Sequence, residues 1–239
     1  MISRNVARQW METWDAQQQI YAVRREHRFA VVSKAVKAAT GHSDTPIIID
    51  IGAGPGSLAE HIARDMPDAR VIAIEADPFL IELGRAAFGK RIEFVETTAG
   101  ADGWLDAVGV DRIDAAVSST ALHYFAVNDL ARLYHDLHKA VSPGGLVVNA
   151  DHFPLNPLVG ELLGNSGDGG TAWQQWWNAA RACDDLTTAL ALREHVVLPD
   201  GGDNDLSADA HMLLLSDAGF TATDVIWRDG VSTIVAARK

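Results

Sequence analysis

Residues 47–57 read IIIDIGAGPGS, an apolar run that leads directly into three closely spaced glycines. The β-branched residues of this run predict a strand that is buried on both faces of a parallel sheet. Gly52, Gly54 and Gly56 allow the backbone to turn sharply and to approach a ligand closely. Apolar residues at helical spacing follow, so the free N–H groups of a helix start would face a ligand in the turn. The segment therefore predicts a nucleotide-cofactor turn.

A second apolar strand, RVIAIE at residues 70–75, ends in an acid. A carboxylate at this point, Glu75, can accept hydrogen bonds from both hydroxyls of a ribose. The glycine spacing is G-x-G-x-G, whereas the dinucleotide fingerprint G-x-G-x-x-G would place its third glycine where this chain has Ser57. The spacing disfavours an NAD-dependent oxidoreductase but leaves it as an alternative.

These motifs resemble those of the class I S-adenosylmethionine-dependent methyltransferases. Residues 50–56 resemble the first motif of that family, and Glu75 matches its ribose-binding acid. Segments that resemble the later strands, the turn before the fifth strand and the closing hairpin follow at 92–96, 113–119, 142–151 and 218–220. The resemblance implies an α/β, Rossmann-like, doubly wound and mostly parallel seven-stranded sheet with an antiparallel C-terminal hairpin and a helical cap.

The resemblance also implies S-adenosylmethionine as the cofactor. Gly52, Ala53 and Gly54 would lie against its methionine part, Asp50 would hold the turn or the amino group, and Glu75 would bind the ribose. Many family members carry an acid after the third strand for the adenine, where this chain has Thr98 and, a few residues later, Asp102. Either could supply that contact. The full expected cofactor set is Asp50, Gly52, Ala53, Gly54, Gly56, Glu75, Ala76, Thr98, Asp102 and Ser118.

Candidate catalytic residues follow the fourth and fifth strands, where ligands of an open α/β sheet bind. His123 could act as a general base, since imidazole titrates near the working pH, or it could pack over the cofactor or bond its own loop. Asp151 and His152 form a second candidate pair, because a carboxylate can orient an imidazole. Neighbouring strand residues point to opposite faces, so both enter one pocket only where the strand has ended.

Aromatic residues in two helical segments are candidate contacts for the methyl acceptor, because indole rings can hold a flat or cationic group. The alternative is that these rings anchor small helices to the core. Trp173, Trp176 and Trp177 share one helical face in this reading. The expected substrate-binding residues are Trp10, Trp14, Tyr21, Tyr124 and Trp173.

The chain divides into three predicted parts. Residues 1–44 are expected to form an N-terminal helical lid, and residues 45–153 with 207–239 the cofactor-binding core. Strands and helices alternate in the core, which predicts right-handed crossovers. Residues 154–206 break this alternation with prolines and glycines, and we interpret them as a helical insertion that caps the active site.

Composition restricts the class of substrate and the compartment. A net charge of −12 argues against a nucleic-acid substrate, which requires clustered Lys and Arg. No apolar run approaches the ~20 residues of a membrane span, and we expect neither a signal peptide nor a membrane partner. Cys183 is the one cysteine, consistent with a reducing cytoplasm. Abundant Ala, Asp and Gly suggest a bacterial source and an enzyme of specialised metabolism.

The sequence predicts no metal site. His135 and His138 lie three positions apart on a helix, but their surroundings are typical of a solvated face and no third ligand is placed beside them. The expected function is methyl transfer to oxygen, nitrogen or activated carbon of a small molecule, by a monomer or homodimer. A catalytically silent interaction module that keeps the cofactor fold is a further alternative.

Overall fold

The computed structural model describes residues 1–20, 22–155, 169–198 and 202–239. Its strands are β1 Ile47–Ile51, β2 Arg70–Glu75, β3 Glu93–Glu96, β4 Ile113–Ser119, β5 Val141–His152, β6 Ala222–Asp229 and β7 Ser232–Arg238. Its α-helices are α1 Arg4–Gln18, α2 Arg25–Thr40, α3 Ser57–Asp65, α4 Pro78–Phe88, α5 Trp104–Val108, α6 Val127–Ala140, α7 Gly169–Arg181, α8 Thr187–Arg193 and α9 Ala208–Asp217.

The strands form one seven-stranded sheet in the order β3-β2-β1-β4-β5-β7-β6. Strands β1 to β5 pair in parallel, and β7 runs antiparallel to both of its neighbours. This arrangement confirms the predicted Rossmann-like sheet with its antiparallel C-terminal hairpin. The chain order reverses between β1 and β4, so their carboxyl ends border the crevice in which such sheets bind ligands.

The alternation of side chains along the strands builds two cores. In β1, Ile48 faces the core made with α2 and α3, while Ile49 faces the core made with α5, α6 and α9. Helices therefore cover both faces of the sheet, which explains the nearly uniform apolar character of β1.

A third apolar cluster lies outside these two layers. Its main members come from α1, α4, α7 and α8: Ala7, Met11, Trp14, Phe79, Leu80, Leu83, Trp176, Trp177 and Ala189. We refer to α1, α7 and α8 as the cap helices, because they pack on α4 rather than on the sheet. Helix α2, which the sequence places in the same lid segment as α1, instead packs on the sheet through Phe29, Val32 and Val36.

In the parts of the chain that the structure describes, every helix is too short or too polar to cross a membrane.

Candidate cofactor and acceptor site

A cavity of about 740 Å³ opens at the carboxyl ends of β1, β2 and β4. Its base is the glycine turn, residues 52–57, between β1 and α3. Gly52 has a φ of +64°, and a Cβ atom there would lie 2.5 Å from the Cβ of Ala121, which belongs to the loop after β4. Gly54 has a φ of +55° and lies beneath the ring of Trp14. Both positions therefore need glycine, as the sequence predicts.

Glu75 closes one side of the turn. Its Oε2 accepts a hydrogen bond from the Gly54 N–H at 2.7 Å, and its Oε1 accepts from the N–H groups of Ala76 and Asp77 at 2.8 and 2.9 Å. Burial raises the pKa of this carboxyl group, while the three backbone donors favour its charged form. Oε1 already accepts two hydrogen bonds, whereas Oε2 accepts one and keeps an acceptor site for a ribose hydroxyl.

Asp50 lies at the end of β1 and lines the same cavity. Its Oδ2 accepts a hydrogen bond from the Ala59 N–H in the first turn of α3 at 3.0 Å. Burial raises the pKa of Asp50 to about 8, a shift that the Ala59 bond opposes and the nearby Glu75 charge reinforces. A cationic ligand beside Asp50 would favour the ionised form.

The other expected cofactor residues divide into two groups. Ala53, Ala76 and Thr98 line the cavity, together with Thr97 and residues 99–101. Asp102 does not line it, so of the two candidates for the adenine contact the structure favours Thr98 and its neighbours.

Ser118 and Gly56 also lie outside the cavity wall. The Ser118 hydroxyl is buried and donates to the carbonyl of Ile51 at 2.8 Å, which joins β4 to β1. Its expected cofactor contact stays a prediction. Gly56 serves the turn itself: its φ is +89°, and a Cβ atom there would approach Phe94 Cζ to 2.8 Å.

Next to Ser118 lie two cavity residues that are not among the expected cofactor contacts. Ser119 and Thr120 line the wall, and Thr120 has a φ of +51°, which is strained for a β-branched residue. Its hydroxyl donates to the Ser119 carbonyl at 2.7 Å. Strained backbone of this kind concentrates at functional sites, but no sequence pattern indicates it in advance.

Helix α1 forms the wall opposite the turn. Trp14 and Gln18 line the cavity, while the Asp15 carboxylate accepts hydrogen bonds from Ser57 Oγ and Arg25 Nη1, both at 2.7 Å. Arg25 is buried and also lines the cavity. One carboxylate thus joins α1, α2 and the first residue of α3 around the glycine turn.

Helices α7 and α8 complete the wall. Trp173 and Trp177 line the cavity, and the Arg193 guanidinium lies 4.3 Å from the Trp177 ring centroid. Arg193 Nε also bonds Asp77 Oδ2 at 2.5 Å, which ties α8 to the start of α4. The signal for Arg193 in the sequence is weak, since it is one arginine in a segment without any motif.

Trp10 and Trp176 anchor the cap helices. Trp176 donates from Nε1 to Thr13 Oγ1 at 3.0 Å, and Trp10 packs edge-on against Trp176 with ring centroids 5.5 Å apart. Trp10 does not line the cavity, and its expected acceptor contact stays a prediction. Tyr124 does line it. Tyr21 lies outside the described residues.

The three expected catalytic residues lie together but do not line the cavity. His123 Nδ1 lies 2.9 Å from Asp151 Oδ1, and His152 Nδ1 lies 3.3 Å from the same oxygen. His123 packs on Tyr124 with ring centroids 3.9 Å apart. The structure therefore joins the two candidate groups into one cluster beside the cavity, and direct proton transfer from an acceptor would require Tyr124 to move.

The ionisation of Asp151 and the ionisation of His152 depend on each other. Burial opposes ionisation of Asp151, but the facing imidazoles of His123 and His152 hold its pKa well below the usual range. The hydrogen bond to Asp151 raises the pKa of His152 to about 9, and Asp203 Oδ2, 2.6 Å from His152 Nε2, reinforces this shift.

Comparison with known proteins finds similarity to methyltransferases. Residues 48–145 match the family described as methyltransferase domain. The chain is 29% identical over 133 residues to the tetracenomycin polyketide synthesis 8-O-methyl transferase TcmO of Streptomyces glaucescens, covering 49% of this chain and 36% of that protein. It is 26% identical over 214 residues to the trans-aconitate 2-methyltransferase of Azoarcus sp. (strain BH72), covering 87% of this chain and 77% of that protein.

Solved structures agree on the fold. Human N-acetylserotonin methyltransferase in complex with SAM superposes with a TM-score of 0.55 at 19% identity, covering 87% of this chain and 51% of that one. PigF with SAH gives a TM-score of 0.53 at 21% identity, covering 81% and 50%. The chain thus spans about half the length of these structures and about a third of TcmO.

Proposed function

We propose that this chain is a class I S-adenosylmethionine-dependent methyltransferase and that it transfers a methyl group from S-adenosylmethionine to a small acceptor. The observation that carries the proposal is a single cavity whose base is the glycine turn with Glu75 and whose far wall is aromatic. The ribose and methionine parts of the cofactor fit the base, and the acceptor fits the wall.

Methyl transfer from a sulfonium is an in-line displacement. A lone pair on the acceptor forms the new bond to the methyl carbon while the carbon–sulfur bond breaks and its electron pair returns to sulfur. Rate then depends on alignment of the two partners and on exclusion of water. Trp14, Trp173 and Trp177 surround the cavity and would supply both the alignment and the exclusion.

The character of the wall favours a flat acceptor that carries oxygen. Its aromatic members are Phe29, Trp14, Tyr124, Phe125, Trp173 and Trp177, and its polar members beside them include Gln18, Ser119 and Thr120. Aromatic walls hold planar molecules by stacking, while a few hydroxyls and amides set the orientation. The relative TcmO is named as an 8-O-methyl transferase of polyketide synthesis, which supports oxygen as the methylated atom.

The cluster of His123, Asp151 and His152 would act on this reaction through Tyr124. Asp151 fixes the His123 ring, and the His123 ring supports the Tyr124 side chain at the cavity wall. We therefore assign these three as positioning residues rather than as the groups that take a proton. An acceptor that reacts as an ionised hydroxyl or as a free amine needs no base at the moment of transfer.

Several broader expectations belong to the same proposal. They are a small-molecule acceptor without nucleic acid or membrane partners, a monomer or homodimer, a cytoplasmic location, and a role in bacterial specialised metabolism. The charge of −12 supports the exclusion of nucleic acid. The proposal also includes a lid at 1–44, a core at 45–153 with 207–239 and a cap at 154–206. Within the lid segment, α2 packs on the sheet and so belongs to the core layer.

Calorimetric titration with S-adenosylmethionine, S-adenosylhomocysteine and NAD tests the cofactor. We expect both adenosyl ligands to bind and Glu75→Ala to weaken them by about 10- to 100-fold, because a charge-assisted hydrogen bond to the ribose is lost. Glu96→Ala is the matched control, since Glu96 is exposed at the end of the neighbouring strand β3. Binding of NAD alone would support an oxidoreductase.

Labelled methyl transfer then tests the acceptor. Flat hydroxylated aromatics are offered beside aliphatic carboxylates and amines, and we expect product with the first group. Trp14→Ala should raise the acceptor KM more than Trp10→Ala, because Trp14 alone of the two lines the cavity. Cofactor binding without turnover across all three groups would favour the interaction module.

A further inference from the structure

Three side chains that can bind metal converge beside the cavity. His123 lies in the short 3₁₀ turn after β4, whereas Asp151 and His152 end β5. One ligand atom from each lies within 4.8 Å of the other two. Asp151 is fully buried, His123 is nearly so, and the side chain of His152 is 28% exposed. Parallel pairing of β4 with β5 brings the two chain segments to the same sheet edge.

Hydrogen bonds alone account poorly for the arrangement at Asp151. Its Oδ1 has three nitrogen neighbours: His123 Nδ1 at 2.9 Å, His152 Nδ1 at 3.3 Å and the His152 backbone N–H at 2.9 Å. The Oδ2 atom receives the backbone N–H of His123 at 3.3 Å. A carboxylate oxygen offers about two lone-pair sites, and the hydrogen bonds from His123 Nδ1 and the His152 backbone N–H fill those of Oδ1, so little acceptor capacity is left for the nearby His152 Nδ1.

The same spacing suits a metal ion. Ligand atoms that lie 2.0–2.2 Å from a tetrahedral or octahedral centre are about 3.0–3.5 Å apart. The distances from Asp151 Oδ1 to the two Nδ1 atoms are 2.9 and 3.3 Å, and the ligand atoms of all three residues lie within 4.8 Å of one another, so a shift of the side chains would place them around one ion. The ion would lie between Asp151 Oδ1 and the two Nδ1 atoms, in place of the proton that His123 Nδ1 and Asp151 Oδ1 share.

A metal-binding histidine usually donates a hydrogen bond from its second ring nitrogen to an outer partner, and Asp203 is that partner for His152. His152 Nε2 lies 2.6 Å from Asp203 Oδ2, so the N–H on the far side of the ring is held by a carboxylate and Nδ1 is directed toward Asp151. Such a bond fixes the tautomer and the ring orientation of a ligand histidine. Asn204 holds this segment in place, because its N–H donates to the His123 carbonyl at 2.8 Å.

We propose that His123, Asp151 and His152 bind one divalent transition-metal ion, with Asp203 as the outer partner of His152. Two imidazoles and one carboxylate favour Zn²⁺, Fe²⁺ or Co²⁺ over Mg²⁺ and Ca²⁺, which prefer oxygen ligands. Water or a further ligand would complete the coordination. The half-exposed edge formed by His152 and Asp203 provides access for the ion.

The proposed ion would join three segments of the chain. It would link the 3₁₀ turn to the end of β5, and through His152 and Asp203 it would hold residues 202–206 against that turn. His123 supports Tyr124, so metal would stiffen one part of the cavity wall without contacting the acceptor. No local sequence pattern indicates this site, because His123 and Asp151 are 28 positions apart and only the sheet brings them together. The proposal does not depend on methyl transfer.

Metal titration of the tag-free chain, after chelator treatment and dialysis, tests the site. We expect one Zn²⁺ per chain by calorimetry and visible d–d absorption bands on addition of Co²⁺. His152→Ala should abolish both signals, and Asp203→Asn should weaken Zn²⁺ binding by about 10- to 100-fold. His152 is partly exposed, so its variant is the one expected to keep the native fold.

Two control variants separate this site from other histidines and acids. His135→Ala removes an exposed histidine from α6, and Asp205→Asn alters an exposed acid in the segment of Asp203. Both should bind Zn²⁺ as the unaltered chain does, and circular dichroism should show all variants folded. Absence of stoichiometric Zn²⁺ binding in the unaltered chain, or equal binding by His152→Ala, would overturn the proposal.

Discussion

The glycine turn and the cap helices line neighbouring parts of one cavity, yet they are held by different kinds of contact. The turn is held by backbone groups close in sequence: Glu75 bonds three N–H groups, the farthest 21 positions away. The cap helices are held by side chains far apart. Trp176 bonds Thr13 across 163 positions, and Arg193 bonds Asp77 across 116.

This difference separates the part of the site that many sequences can form from the part that is specific to this chain. Backbone hydrogen bonds demand only glycine, a strand and an acid at set positions, so the turn is recognisable in many sequences. Side-chain contacts between distant helices can change without loss of the fold. The cap side of the cavity is therefore the side on which acceptor specificity would reside.

Gly52→Ala is expected to have the largest effect, on the turn. The new Cβ atom would lie 2.5 Å from Ala121 Cβ, and the φ of +64° is unfavourable for alanine. We expect the free energy of unfolding to fall by about 1–3 kcal/mol, with weaker S-adenosylmethionine binding, as measured by urea titration and calorimetry.

Gly230→Ala is the matched control. Gly230 also has a positive φ, of +59°, but no atom lies within 4 Å of a Cβ atom built there. It should therefore show backbone strain without the steric clash. If the free energy of unfolding falls equally in both variants and Gly52→Ala binds cofactor normally, then the contact with Ala121 is not the reason that position 52 requires glycine.

The second-largest expected effect is that of pH on cofactor affinity. Asp50 has a pKa of about 8 because of burial, so it is mostly neutral at pH 6. A sulfonium cation favours the carboxylate, and its binding would release a proton. Affinity should therefore increase with pH up to about 8, by at most about tenfold per pH unit.

Calorimetry across this pH range compares S-adenosylmethionine with S-adenosylhomocysteine, which lacks the sulfonium charge. The dependence should be smaller for the second ligand and should flatten in Asp50→Asn. An Asp50→Asn variant with the slope of the unaltered chain would assign the proton to another group, such as the neighbouring Glu75.

Thr13→Val should have the smallest effect, and it acts on the cap. It removes the acceptor of the Trp176 N–H, so we expect a loss of about 1 kcal/mol in the free energy of unfolding. S-adenosylmethionine affinity should stay within about twofold, since the turn is untouched. Thr188→Val, at an exposed position of α8, is the control. A large loss of cofactor affinity would show that cap and turn are coupled.

Prediction from the sequence succeeds where function follows from backbone placement. The strands, the turn and the Glu75 position agree with the structure, because apolar runs and glycines restrict the chain locally. Ser118 and Ser119 show the limit. They are chemically identical neighbours, and only the face that each presents decides that Ser119 lines the cavity while Ser118 bonds Ile51.

Tryptophan positions show the same limit on the cap side. The spacing correctly places Trp10 and Trp14 on one side of a helix, but only packing against α7 decides that Trp14 lines the cavity while Trp10 anchors Trp176. Helical spacing defines a face, not the partner that covers it.

The sequence by itself determined the parallel sheet, the glycine turn and the acid that faces it, since each depends on residues near one another along the chain. Only the tertiary structure decided that His123, Asp151 and His152 form one cluster beside Tyr124, and that α1 closes the cavity through Asp15. Those contacts join segments of distant sequence, and their geometry arises from sheet pairing and helix packing rather than from any local pattern.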